Sequence, residues 1–140
     1  MFPPIIAKFL KDHHVLTLCT QNNQGQMWAA NAFYVFDEKQ IALYFLSTED
    51  TQHVKMMHQQ SEVVGTISKQ SKNISLIQGV QYKAQAMLLQ EQAAEAAYKK
   101  YYEHFRMACT IKAPIWQLAL NNIKFTDNQQ GFGHKILWSR

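Results

Sequence analysis

With two cysteines, three prolines and five glycines in 140 residues, the chain lacks the raw material for several common designs. Cys19 and Cys109 both sit among apolar neighbours. Two such residues build no disulfide framework of the kind that staples small secreted domains, so each reads as a free thiol in a reducing, cytoplasmic setting. The prolines fall at Pro3, Pro4 and Pro114, and no Ser/Gly-rich or single-sign run divides the sequence. No linker, repeat or low-complexity segment is therefore indicated, and one domain over residues 1–140 is expected. Apolar stretches end well short of the roughly 20 residues that span a bilayer. The opening "MFPPIIAKFLKDHH" has too short an apolar run for a signal peptide and no small-residue cleavage site.

Chemistry-bearing motifs are scarce as well. The six histidines, at 13, 14, 53, 58, 104 and 134, form no HxxxH pair on a helical face, and neither CxxC nor an acidic cluster accompanies them. No metal site is expected. No GxSxG is present, and "GFGHK" at Gly131 to Lys135 is neither a dinucleotide fingerprint nor a phosphate-binding loop. A net charge of +4 suits an anionic ligand, but the lysines are scattered among acidic residues and no RNP-like motif appears, which argues against nucleic acid.

What the chain does have is alternation. After a short proline-started helix to about Asp12, "HVLTLCT" (His14 to Thr20), "MWAANAFYVF" (Met27 to Phe36) and "IALYFL" (Ile41 to Leu46) read as strands joined by the polar turns "QNNQGQ" and "DEKQ". A helix to about His58 follows, then strands at Glu62 to Ile67 and through Leu88. In the latter, Val80, Tyr82, Ala84, Ala86 and Leu88 alternate with Gln81, Lys83, Gln85 and Met87, and Gly79 marks a candidate bulge. Helical spacing returns from Glu91 to about Met107. A sixth strand, Ile115 to Phe125, carries a kink or bulge at Asn121-Asn122, and "HKILWSR" adds a short seventh. The predicted fold is a mainly β, six- to seven-stranded antiparallel split barrel with peripheral helices, closed or nearly so.

The stretch "LYFLSTEDTQHVKMM", Leu43 to Met57, changes from strand to helix period at Ser47 to Asp50. The spacing Ser47-x-x-Asp50 resembles a capping box, with backbone N–H groups converging near Ser47, Thr48 and Thr51. Two readings follow from the residues alone: a self-capped helix start whose own carboxylates fill that field, or a seat for an anion.

The order of these parts resembles the flavin-binding split-barrel proteins related to pyridoxamine phosphate oxidase, and among them a YhbP-like group. The likeness covers nearly the whole chain, through "ANAFY.FD" at Ala30 to Asp37, "GVQ.K" at Gly79 to Lys83, "AP.W" at Ala113 to Trp116 and "IKFTDN..GFG.K..W.R" from Ile123 to Arg140. It implies a homodimer with flavin mononucleotide (FMN) in clefts between the subunits, and it favours the anion seat. By position, the family's phosphate-gripping Arg-Lys pair falls on Gln52 and His53. Its basic residues in the second strand fall on Ala29 and Tyr34, its aromatic-polar pair on Tyr44 and Phe45, and a late arginine from the other subunit on Lys135. With Ser47, Thr48 and Thr51, and without Ala29, these make up the expected cofactor-binding set.

The substitutions remove fixed positive charge, so the resemblance implies a weaker flavin grip than the family norm, low enough for loss in purification. An unperturbed His53 titrates at about 6.5, so its grip is expected to weaken above that pH. Where the oxidase carries an Arg-x-His, this tail reads Gly131-Phe132-Gly133, and pyridoxamine phosphate oxidation is not expected. The implied activity is a flavin-dependent oxidoreduction of an unidentified small substrate, with no catalytic residue assigned. The alternative is a non-catalytic split barrel holding another ligand such as haem, with His134 or His104 as axial ligand.

Overall fold

A computed structural model describes all 140 residues, Met1–Arg140. Its elements, in chain order, are α1 (Pro4–Asp12), β1 (Val15–Gln21), β2 (Met27–Phe33), β3 (Val35–Asp37), β4 (Ala42–Leu46), α2 (Gln52–Gln59), β5 (Glu62–Ser68), β6 (Gln78–Leu88), α3 (Glu91–His104), β7 (Ile115–Asp127) and β8 (Lys135–Ser139). All pairings are antiparallel, in the order β2-β1-β5-β6-β7-β4-β3, with β8 added to β7. The split-barrel expectation therefore holds, with one strand more than the sequence reading allowed.

The extra strand comes from a break at Tyr34 in the run read as one strand from Met27 to Phe36. Phe33 ends β2, at one edge of the sheet, and Val35 begins β3, at the other edge. Two residues reach at most about 7 Å, so the sheet must curl until its edges meet at this crossing. Tyr34 makes the crossing: its N–H donates to the His14 carbonyl at 2.9 Å and its hydroxyl donates to the Leu10 carbonyl at 2.8 Å. That second bond satisfies an end-of-helix carbonyl of α1 that has no partner within the helix.

The curled sheet encloses a core of alternating side chains, among them Leu16, Leu18, Phe45, Tyr82, Leu118, Leu120 and Phe125. α1 covers one end of it with Ile6, Phe9 and Leu10. β6 follows the predicted two-faced alternation, Val80, Tyr82, Ala84 and Ala86 inward and Gln81, Lys83, Gln85 and Met87 outward. Gly79 is no bulge, being paired in register with Ser68 and Thr126. The bulge lies on β7 where the Asn-Asn pair suggested: β6 partners jump from Asn122 to Leu120, leaving Asn121 out. At Gly65 the walls are closest, because a Cβ there would stand 2.0 Å from the Thr17 carbonyl oxygen and 2.3 Å from the Tyr82 hydroxyl. Tyr82 uses that space to donate to the Thr17 carbonyl at 2.9 Å.

Asn121 sits where β7 changes partners, from β4 on its first half to β8 on its second. Arg140 closes this junction. Its guanidinium donates to the carbonyls of Leu120 (3.0 Å), Gln40 (3.1 Å) and Ile41 (2.8 Å), and its own N–H donates to Asn121 O at 2.8 Å. Ile41 has φ +50°, a conformation that a β-branched residue adopts only under constraint, and the Arg140 clamp supplies one. Cys19 is half-buried and both thiols are free, but Cys109 is exposed, so the expected apolar surroundings hold for only one of them.

A smaller cluster packs Ala94, Ala97 and Tyr101 of α3 against Val35, Ala42, Tyr44 and Ile115. α3 ends at His104 rather than near Met107, with a tight turn at Arg106–Ala108. No helix is long and apolar enough to cross a membrane.

Candidate functional site

β4 delivers the chain to the corner, and Ser47 fixes the exit by donating its N–H to the Pro114 carbonyl at 3.0 Å. α2 does not open at Glu49 or Asp50. Its cap is Thr51, whose Oγ1 accepts from Val54 N at 3.3 Å. The anticipated Ser47–Asp50 capping box is absent because its carboxylate is engaged locally: Thr48 Oγ1 donates to Asp50 Oδ1 at 2.5 Å. Glu49 meets His58 Nε2 at 2.9 Å. The helix start is thus self-capped, but through the Thr51 hydroxyl, while both acidic side chains have other partners.

What the corner presents is a cluster of hydroxyls around one imidazole. Ser47 Oγ lies 2.6 Å from His53 Nε2 and 3.4 Å from Thr51 Oγ1, while Thr51 Oγ1 also donates to the Thr48 carbonyl at 3.0 Å. Burial holds the His53 pKa below the usual histidine value. The same burial therefore disfavours the charged form of His53 relative to the unperturbed imidazole expected from the sequence.

This cluster forms one wall of a cleft of about 970 Å³. The end of β2 supplies the second wall with Asn31 and Phe33, and the end of α3 with its following turn supplies the third with His104, Phe105 and Arg106. Phe33 and Phe105 meet edge-on, ring centres 5.8 Å apart, and give the cleft an aromatic element beside its hydroxyls. His104 Nε2 approaches His14 Nδ1 at 3.3 Å, and burial followed by the neighbouring His14 lowers its pKa. The size falls within the range of small-molecule sites, and the mix of apolar wall and few convergent polar groups is typical of them.

Of the sequence-predicted residues, Ser47, Thr48, Thr51 and His53 stand together on this cleft. Gln52, next to His53, does not line it. Tyr34, Tyr44 and Phe45 belong to the packed interior: Tyr34 anchors α1, Phe45 is in the main core, and Tyr44 donates to Asp37 Oδ2 at 2.9 Å. Burial pushes both tyrosine hydroxyls up, that of Tyr44 further through the Asp37 carboxylate. Lys135 is remote within the chain. Leu46 pairs with Ile115 at one end of β7 and Lys135 with Thr126 near the other, a separation of about 36 Å at strand rise. His134 does not line the cleft, whereas His104 does.

Arg106, Phe105, His104, Phe33 and Asn31 were not among the residues singled out for a flavin. Phe105 belongs to the aromatic stripe of the predicted helix, which reads as core, and for Arg106 no sequence signal exists, since a helix read to Met107 hides the turn that brings it to this cavity. A second, smaller trough of about 640 Å³ lies on the outer face of the sheet between Val64, Lys83 and Trp138, and none of the predicted residues lines it.

No protein-family model matches the chain. It is 48% identical over 135 residues to a UPF0306 protein of Serratia proteamaculans, covering 96% of this chain and 93% of that one. It is 42% identical to the UPF0306 protein YhbP of Escherichia coli O127:H6, covering 96% of each chain. Among solved structures, ChuZ of Campylobacter jejuni superposes with TM-score 0.79 at 14% identity, over 97% of this chain and 58% of that one, so this chain spans under two thirds of ChuZ. HutZ of Vibrio cholerae, described as a heme storage protein, gives TM-score 0.69 at 15% identity over 84% and 89%. A FAD-binding protein of Mesorhizobium loti gives 0.68 at 12% over 89% and 94%. At these identities the structural likeness speaks for the fold.

Proposed function

The chain belongs to the UPF0306 protein family, and from that premise we propose that it is a flavin-binding split-barrel protein that takes FMN in the corner cleft. The observation that carries this reading is the cleft itself, where Ser47, Thr48, Thr51 and His53 share one cavity with the aromatic pair Phe33 and Phe105. The donor set fits a phosphorylated, planar ligand: hydroxyls and an imidazole for the polar end, ring faces for the flat one. FMN supplies its own electron- and hydride-accepting ring, so these residues have to bind, orient and shield it. The activity proposed is oxidoreduction of a small substrate other than pyridoxamine phosphate.

Lys135 lies at the far end of β7 from this corner, so the reading includes it only as the contribution of a second copy. The working unit in this reading is a homodimer with the cleft at the subunit boundary. Titration of ligand-free protein with FMN is expected to give saturable fluorescence quenching at slightly acidic pH, with elution at dimer size. Absence of quenching at every pH from about 5 to 8 sinks the flavin reading.

One observation favours a second reading, haem in the same cleft: His104 stands on its wall, and two split-barrel neighbours of similar fold are described as heme proteins. Haem titration with a Soret band that FMN competes away places both ligands in one site. A Soret band lost in His104→Ala assigns the axial ligand.

A further inference from the structure

The chain has only two arginines, Arg106 and Arg140, and they are used in opposite ways. Arg140 is spent on backbone: three carbonyls accept from its guanidinium, and its charge also lies 5.9 Å from the centre of the Trp138 ring. Arg106 is exposed at the cleft mouth and has neither an ion pair nor a side-chain hydrogen bond. The salt bridges of the molecule are Lys8–Asp12, Lys11–Glu38, His58–Glu49 and Lys83–Glu62, none of them involving this residue.

Charge at the cleft is otherwise sparse. His53 and His104 are both held toward their neutral forms, and Lys55 of the next turn does not line the cavity. Glu103 is the one acid on the wall, and it stands apart from Arg106, beyond ion-pair distance. A ligand carrying a phosphate or carboxylate therefore meets three hydroxyls, two imidazoles held toward their neutral forms and one permanent cation. A guanidinium is the side chain best shaped to grip such a group through two parallel N–H···O bonds.

We propose that Arg106, on the turn that follows α3, selects for anionic ligands in this cleft, gripping a phosphate monoester or carboxylate that the Ser47–Thr51 hydroxyls orient. The inference rests on the cleft being the ligand site proposed above, and it moves the fixed positive charge away from positions 52 and 53 to a residue more than fifty positions later in the chain. Glu103 acts against it, as a like charge to the incoming anion.

The test compares FMN with riboflavin, which has the same ring and no phosphate, by fluorescence quenching on the full-length protein. Arg106→Gln is expected to weaken FMN binding about ten-fold while leaving riboflavin within about two-fold, as loss of one charge-assisted contact requires. Arg106→Lys should recover part of the loss, and Glu103→Gln should move FMN affinity in the opposite direction. High salt should erase the preference for FMN over riboflavin in wild type and leave Arg106→Gln unchanged. Equal loss of both flavins in Arg106→Gln, or no loss of either, overturns the assignment.

A second measurement separates this from the flavin reading. Phenylglyoxal labels guanidinium groups, and mass spectrometry resolves Arg106 from Arg140, which serves as an internal control. Inorganic phosphate at millimolar concentration is expected to protect Arg106 alone. Protection in a protein that binds no flavin upholds the anion grip and removes FMN; no protection by phosphate or FMN removes the grip.

Discussion

The barrel wall and the cleft mouth are built from similar residues and treat their polar groups differently. In the wall, Tyr34, Tyr82 and Arg140 are committed to backbone carbonyls: Tyr34 to Leu10, Tyr82 to Thr17, Arg140 to Leu120, Gln40 and Ile41. At the mouth, Ser47 and His53 bond to each other, Thr51 divides its bonds between them and the neighbouring backbone, and the Arg106 side chain bonds to nothing. Commitment to backbone makes a polar group structural. A polar group left with unused donors on a concave surface is available to a ligand.

Substitutions should therefore divide cleanly, with wall changes moving stability and mouth changes moving ligand preference or pH response. The largest effect belongs to Gly65→Ala, whose methyl has no space between the Thr17 carbonyl and the Tyr82 ring. A loss of about 3 kcal/mol is expected in urea unfolding. Wild-type stability in that variant would break the comparison at its firmest point.

Next comes Arg140→Ala, which releases three carbonyls and the strained Ile41 turn. Because the guanidinium is partly exposed, water replaces some of what is lost, and a decrease of about 1–2 kcal/mol is expected. Flavin affinity, measured in parallel, should not change. If it falls, the tail belongs to the mouth and not to the wall.

The smallest effect is a pH slope. His53 has a folded pKa below its unfolded value, so the unfolded chain binds the extra proton first. Its contribution to stability is complete above about 6.5 and is lost as pH falls through the window down to the folded pKa. His104 adds a slope of the same sign. Melting temperature plotted against pH should thus be flatter in His53→Gln than in wild type between about 7 and 5, with a residue of slope from His104. An unchanged slope would mean that the imbalance lies elsewhere.

Much of the wall was legible because burial imposes period 2 on a strand and leaves that period in the sequence. Val80 to Leu88 declared both its faces, and the Asn121-Asn122 pair declared its bulge. The break at Tyr34 was hidden, since a residue crossing from one sheet edge to the other remains extended and apolar and looks like more strand. At the corner, Ser47, Thr48, Thr51 and His53 could be found because a strand-to-helix change is a local event. The capping box there failed for an equally local reason: Thr48 reached Asp50 before the helix could use it. Tyr44 and Phe45 were assigned to the ligand by position along the chain, and the structure buries both.

By itself, then, the sequence determined which segments are strands, which faces turn inward, and where one strand gives way to a helix, all matters that neighbouring residues settle through their spacing. Only the tertiary structure decided which charges are free. Whether a guanidinium is spent depends on carbonyls a hundred residues away, as Arg140 meets Gln40 and Ile41, and whether an imidazole carries charge depends on how deeply the fold buries it. The seat of a ligand is made of such long-range outcomes, and Arg106 reaches the corner only because α3 ends early and the chain turns back over it.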